Sequence, residues 1–128
     1  MTKEDRERLL KDLGGRLPYG VKILDIPANV VGKLFLISTT DTVQYETADD
    51  TGIQTLYNIK PYLLPLSSMT EEEQRTLDSM CNGVEMASRL SGLKMFDKAF
   101  NWLDENHFDY RGLIEDGLAI DATGLNIY

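Results

Sequence analysis

The spacing of apolar residues changes from helical to strand-like at about residue 20. Near the N-terminus, Thr2 is followed three residues later by Asp5, a pair typical of a helix start. Leucines then recur at helical spacing up to the glycines at 14–15, which predicts a helix over residues 2–14. Short β-rich segments separated by polar turns follow, and they predict a meander of strands at Val21–Ile26, Leu34–Ser38, Thr42–Thr47 and Ile53–Ile59.

Two prolines, Pro61 and Pro65, bracket a short apolar run after the last of these strands. Each proline restricts the residue before it to extended conformations. Residues 60–68 are therefore predicted to form an extended connector, and the sheet is predicted to end there.

Helical spacing returns after the connector. Thr70 precedes three glutamates, an arrangement that favours a helix N-terminus. The apolar phase then continues across Gly83, so a second helix is predicted from about residue 70 to Ser91, where Gly92 ends it.

A further apolar stripe is predicted to form a third helix that packs on the sheet: Leu93, Phe96, Ala99, Phe100 and Leu103. Asp109 is placed to cap a short last helix over residues 110–116. The predicted fold is thus α+β, with an N-terminal helix, a small antiparallel meander of about four strands that is either open or barrel-like, and two or three helices packed on it. We expect one domain over residues 1–128, divided into 1–16, 17–66 and 67–128.

Net charge is the unusual bulk property of the chain. The formal charge is −8 at pH 7, and residues 67–128 contribute most of it with five basic and twelve acidic side chains. Such a surface repels phosphates, so direct binding of DNA or RNA is disfavoured. Apolar runs reach only about four residues, too short for a membrane span. The single cysteine and the charged N-terminus favour a cytoplasmic protein.

Two short motifs match catalytic signatures. Asp50-Thr51-Gly52 has the letters of the aspartic protease motif, but the residues before it are polar, and a hairpin turn is the favoured interpretation. Ser91-Gly92-Leu93-Lys94 fits the spacing of penicillin-recognising enzymes, but the companion elements are missing, and a helix end is favoured.

Cys81 and His107 are the remaining candidates for chemistry. Cys81 falls in the apolar phase of the second helix, which favours core packing over a nucleophile activated by His107. One histidine and one cysteine fall short of zinc-site patterns, so His107 is interpreted as a residue at a helix C-terminus. Nucleotide and phosphate-loop motifs are missing as well. We therefore predict no catalytic residue, no metal and no cofactor.

Tyrosine suits protein interfaces because it combines a large apolar ring with a polar end. A possible protein-binding surface is therefore assigned to five of the six tyrosines: Tyr45, Tyr57, Tyr62, Tyr110 and Tyr128.

Four stretches of the chain resemble a group of known sequences: Met1–Arg6, Arg16–Val21, Lys60–Glu73 and Trp102–Thr123. They are similar to short uncharacterised proteins encoded in prophages and other mobile elements of Bacteroides-type gut bacteria. The resemblance implies a mobile-element setting and a bacterial cytoplasm, and it brings no catalytic or binding residues with it.

Three functional hypotheses follow. The first is a non-catalytic accessory module that binds an unidentified protein through the sheet edge or the tyrosine-rich surface. The second is an acidic decoy that imitates nucleic acid and occupies a host nucleic-acid-binding protein. The third is an enzyme that uses Cys81 with His107, or Asp50. The sequence leaves the oligomeric state open.

Overall fold

A computed structural model describes residues 1–82 and 89–128. The elements are, in chain order, α1 (Lys3–Arg16), β1 (Lys22–Asp25), β2 (Val30–Ile37), β3 (Thr42–Glu46), β4 (Thr51–Thr55), β5 (Ile59–Pro65), α2 (Glu71–Cys81), α3 (Arg89–Glu105), β6 (Phe108–Asp109) and β7 (Ile120–Asp121). The α+β prediction is confirmed. No helix in the described parts of the chain is long and apolar enough to cross a membrane.

Helix α1 begins with the predicted cap, because the Thr2 hydroxyl accepts a hydrogen bond from the Asp5 amide and the Asp5 carboxylate accepts one from Thr2. It does not stop at the glycine pair and continues to Arg16. Gly15 has a packing reason to be in the helix, since a Cβ there would lie 2.9 Å from Oδ2 of Asp104.

The four predicted strands form an antiparallel meander with the order β4-β3-β2-β1. The turns lie where polar residues predict them, and Asn29 and Asp41 adopt the positive φ that tight turns require. A shift in register between Leu34 and Leu36 marks a β-bulge, and it leaves both Phe35 and Leu36 exposed.

The prediction that the sheet ends at the proline-bracketed connector is wrong. Residues 59–65 form the central strand β5, which pairs antiparallel with β1 and parallel with the short strands β6 and β7. The ladder to β1 ends at Pro61 and the ladder to β7 begins at Tyr62. Pro61 is therefore the last residue of the β1 ladder and precedes the β7 ladder, a position at which a missing N–H is tolerated.

The helices of the second half also differ from the prediction. Helix α2 ends at Cys81, and Gly83 lies outside the described residues. Gly92 does not end a helix, because it is a buried residue inside α3. Residues 110–116 form turns and no helix, although the Asp109 carboxylate accepts hydrogen bonds from the amides of Leu113 and Ile114.

The hydrophobic core lies between the inner face of the sheet, α1 and the segment 113–119. Leu9 and Leu13 are the helical members of this core, whereas α2 contributes no buried residue. Helix α3 buries Ala99 and Leu103 but not the rest of its predicted stripe.

Candidate functional site

The five tyrosines assigned to a possible binding surface lie in different environments. Tyr45 and Tyr62 are buried, and buried rings provide no contact surface for a partner. Tyr57 is half-exposed, with its hydroxyl 3.5 Å from the Asp41 carboxylate. Tyr110 and Tyr128 lie on the segment after α3. Tyr110 is the residue around which a surface site can be built, as its neighbours show below.

Tyr45 fills a space that two glycines on neighbouring strands provide. A Cβ at Gly32 or at Gly52 would lie 2.3 Å from an atom of its ring. Its hydroxyl donates to Oδ2 of the buried Asp25 at 2.6 Å, and this hydrogen bond, together with burial, raises the pKa of Tyr45 to about 12. Gln54 donates to the other oxygen of Asp25 at 3.2 Å. The cluster is a polar anchor inside the sheet.

The turn interpretation of Asp50-Thr51-Gly52 is confirmed. Asp50 is exposed in the β3–β4 hairpin, where its carbonyl accepts from the Thr47 amide and its carboxylate accepts from the Thr51 amide. Gly52 is required by the Tyr45 ring, as described above. The helix-end interpretation of Ser91-Gly92-Leu93-Lys94 is wrong, because all four residues lie inside α3.

Cys81 is exposed at the end of α2, so the prediction of core packing is wrong. His107 follows α3, and its placement at a helix C-terminus is confirmed. Its φ is 63°, and its ring stacks on Tyr128 with centroids 3.7 Å apart. The contacts that the described residues make do not pair His107 with Cys81, and no group of three acidic, histidine or cysteine residues among them could hold a metal ion.

Burial lowers the pKa of His107 to about 4, and the positive charges of Arg16 and Lys22 contribute to the shift. The Nδ1 atom has no hydrogen-bond partner among the described residues, so nothing stabilises the imidazolium form there. Tyr128 holds the ring in place: its hydroxyl accepts from the Lys22 amide and donates to the Tyr62 carbonyl, each at 2.8 Å. This geometry favours a neutral, structural histidine.

A charge-balanced network joins α1, α3 and the segment after α3. Asp12, which is fully buried, accepts from Arg16 at 3.0 Å and from Arg111 at 2.8 Å. Burial raises the pKa of Asp12, and both guanidinium groups oppose that rise. Asp104 lies 3.9 Å from Arg16 and 3.7 Å from Arg111. Two acids thus neutralise two bases, which indicates a structural role for the network.

Tyr110 lies at the outer side of this network. Its hydroxyl donates to Asp104 at 2.9 Å, and burial together with this hydrogen bond raises the pKa of Tyr110 to about 12. The Arg111 guanidinium lies 4.5 Å from the ring centroid, a cation–π distance. The Phe100 ring lies 5.2 Å away, and Phe96 stacks on Phe100 at 6.5 Å.

Two shallow concavities share Tyr110. One, of about 330 Å³, lies between α1 and α3 and is lined by Phe100, Lys11 and Arg111 among others. The other, of about 440 Å³, is lined by Pro65, Leu66 and Ile114 among others. An apolar row therefore runs from α3 past Tyr110 to the end of β5, and we call it the Tyr110 track: Leu93, Phe96, Phe100, Tyr110 and Leu66.

The prediction that Phe96 and Phe100 are buried against the sheet is wrong, since Phe96 is 43% exposed and Phe100 is 46% exposed. Helical periodicity identifies an apolar stripe but not what covers it, so the stripe was indistinguishable from a core face in the sequence. Tyr110 is the one member of the track that the tyrosine composition signalled. Comparison with protein-family models, with curated proteins and with solved structures returned no match.

Proposed function

We propose that the protein is a non-catalytic protein-interaction module that binds its partner through the Tyr110 track. The observation that carries the proposal is the exposed apolar row on α3, where Leu93 is 67% exposed and the two phenylalanines nearly half. A contiguous apolar row that leads into concave surface is typical of a protein contact site. Aromatic rings in such positions supply most of the binding energy in many interfaces.

The open edge of the sheet is a weaker candidate for the interface. In β4, residues 50 and 56 bond to the β3 side, so Thr51, Ile53 and Thr55 direct their backbone groups outward. The Thr51 amide is already bonded to Oδ1 of Asp50 at 2.7 Å, and the Thr55 amide to Oε1 of Gln54 at 2.9 Å. Side chains thus occupy two of the donors that an added strand would need.

Catalysis is disfavoured by the state of the polar groups around Tyr110. Asp104 accepts the Tyr110 hydroxyl, and Arg111 is bonded to Asp12. Groups committed to one another in this way are poorly suited to hold and transform a substrate. The same argument applies to His107, which burial keeps neutral beneath Tyr128.

A nucleic-acid decoy is also disfavoured, because several acids of the second half serve the fold. Glu73 closes the capping box of α2, Asp109 caps residues 113 and 114, and Asp116 pairs with Arg8 at 2.6 Å. Such acids are not free to form a regular array that imitates phosphates. The resemblance to mobile-element proteins supports a bacterial setting for the protein. It does not favour the interaction module over the decoy.

Affinity capture from a Bacteroides-type lysate tests the proposal with three baits: the unaltered protein, a Phe96→Ala/Phe100→Ala variant, and Ile53→Ala. Ile53 is the matched control because it is 62% exposed on β4, outside the track. We expect one protein to be retained by the unaltered and Ile53→Ala baits and lost with the double variant. Equal retention by all three baits refutes the proposal.

The same capture separates the module from the decoy. Binding through apolar side chains is expected to persist between about 50 and 200 mM salt, because screening acts mainly on exposed charges. A partner that is released over this range and displaced by duplex DNA would favour the decoy instead.

A further inference from the structure

We infer that the Tyr110 track takes a basic amphipathic helical segment of a different protein. The inference rests on the proposed function and adds the chemistry of the partner. It is carried by the distribution of charge around the track, by the shape of the apolar row, and by the charge that a second copy of this chain would bring.

Helix α3, which carries most of the track, is electrically neutral, with three basic and three acidic residues. Of the segments beside it, two are acidic, whereas α1 is close to neutral: residues 3–16 have five basic and four acidic side chains, a net charge of +1. Residues 71–82, which contain α2, have four acidic side chains and one basic, a net charge of −3. Residues 106–128 likewise have four acidic side chains and one basic, again −3. The apolar row is therefore set in a negative field, although Asp109 is buried in its capping role.

The groups at the rim of the concavities agree with this field. Among the residues that line the two concavities, Arg111 is neutralised by Asp12, Lys11 is an exposed cation, and Asp97 and Glu115 are exposed acids. The exposed lysines of α3, Lys94 and Lys98, are balanced within that neutral helix. A cationic partner gains from both acids, and an acidic partner meets them as like charges.

The spacing of the apolar row suits contact with an amphipathic helix. Leu93, Phe96 and Phe100 follow helical spacing on α3, and Tyr110 continues the row with a concavity on each side. An amphipathic helix presents apolar side chains at i, i+3, i+4 and i+7, a pattern that fits a row of this kind. A second copy of this chain would bring its own net charge of −8 to the contact, which disfavours self-association.

Synthetic peptides provide the test. The probe is a peptide of about 14 residues, about four turns, built from leucine and lysine with leucine at the amphipathic helical positions. The first control replaces every lysine by glutamate, and the second keeps the leucine and lysine composition in scrambled order. Binding is measured by calorimetry at about 150 mM salt, with sedimentation equilibrium of the protein alone.

We expect the amphipathic leucine–lysine peptide to bind at least about tenfold more tightly than either control peptide. Phe96→Ala/Phe100→Ala is expected to weaken this binding at least about tenfold, and Ile53→Ala to leave it unchanged. Phe100 contacts Tyr110, so its substitution could disturb the site as well as the binding surface. Leu93→Ala serves as a second variant because Leu93 is more exposed, and it is expected to weaken binding as well.

Four outcomes overturn the inference. Equal binding of the glutamate peptide would show that the partner is not basic. Equal binding of the scrambled peptide, with no effect of the double variant, would show attraction by charge alone. A dimer that Phe100→Ala dissociates would identify a second copy as the occupant. If lysate capture returns a track-dependent acidic partner, this inference fails while the proposed function stands.

Discussion

Tyr45 and Tyr110 make the same bond in two regions of the molecule and serve different ends. Each donates its hydroxyl to an aspartate, at 2.6 Å and 2.9 Å, and each has a pKa raised to about 12. Tyr45 is enclosed within the sheet, whereas Tyr110 borders two concavities at the surface. The difference lies in what covers each ring. Two glycines make room for Tyr45 within the sheet, whereas Tyr110 lies beside the half-exposed Phe100 and the Arg111 guanidinium.

The largest expected effect comes from filling the space beneath Tyr45. In Gly32→Ala the new Cβ would meet the Tyr45 ring at 2.3 Å, so we expect a loss of about 3 kcal/mol in the free energy of unfolding. Gly14→Ala is the matched control, because nothing lies within 4 Å of its Cβ position. It should stabilise the protein by up to about 1 kcal/mol through helix propensity. Urea unfolding that places the two variants within error of each other would contradict this account of the covered tyrosine.

The hydroxyl groups of the two tyrosines are expected to contribute differently to the free energy of unfolding. Tyr45→Phe leaves the buried Asp25 with weaker partners and should lower the free energy of unfolding by about 2 kcal/mol. Tyr110→Phe leaves Asp104 near two guanidinium groups, so we expect a loss of about 1 kcal/mol or less. Urea unfolding of both variants measures the difference. An equal loss would mean that burial of the tyrosine does not change how much its hydrogen bond contributes to stability.

A third tyrosine, Tyr128, stacks on His107. The pH dependence of the free energy of unfolding measures how strongly burial keeps this histidine neutral. The folded-state pKa of about 4 lies below the ordinary 6.5, so the unfolded chain takes up the proton first as the pH falls. The stabilisation is complete above about pH 6.5 and is lost progressively toward pH 4. Between about pH 7 and pH 5 we expect a loss of between about 1 and 2 kcal/mol.

His107→Asn tests the assignment, because asparagine tolerates the positive φ at this position and does not titrate in this range. We expect thermal or urea unfolding of the variant to vary less with pH between about 7 and 5 than that of the unaltered protein. An unchanged slope would assign the pH dependence to other groups.

The smallest expected effect on stability is at the exposed surface around Tyr110. Phe100→Ala removes a half-exposed ring, so we expect the free energy of unfolding to fall by about 1 kcal/mol, compared with about 3 kcal/mol for Leu103→Ala, which is buried three residues later. Urea unfolding of the two variants checks the contrast. A loss of about 3 kcal/mol for both would place Phe100 in the core and remove it from the Tyr110 track.

The local parts of the fold could be predicted from sequence. The cap at Thr2, the alternation in β1–β3 and the polar turns between strands all act over a few residues, and the structure contains each of them. The strand β5 was missed because Pro61 and Pro65 favour a connector unless a partner is present on each side. Those partners, β6 and β7, are two-residue strands that pair with β5 from far along the chain.

The candidate site was missed for a related reason. The stripe on α3 has the same periodicity whether it faces the core or the solvent. Its exposure is decided by which other elements pack against it, and periodicity does not identify those elements. Here α1 takes the place against the sheet that the stripe was expected to occupy, since Leu9 and Leu13 fill the core. Tyr110 could be singled out only by residue type, because its neighbour Phe100, which lies on α3, is brought to it by tertiary structure.

The two ladders of β5 also bear on the kinetics of folding. The ladder to β1 joins residues of the first half, whereas the ladder to β6 and β7 requires residues 108–121, and contacts of long sequence separation form slowly. While the second ladder is incomplete, β5 is an exposed edge on which other chains could nucleate aggregation. Pro61 and Pro65 have no N–H to offer such a chain, so the prolines that made the strand hard to recognise in the sequence also limit its pairing with other chains before the second ladder forms.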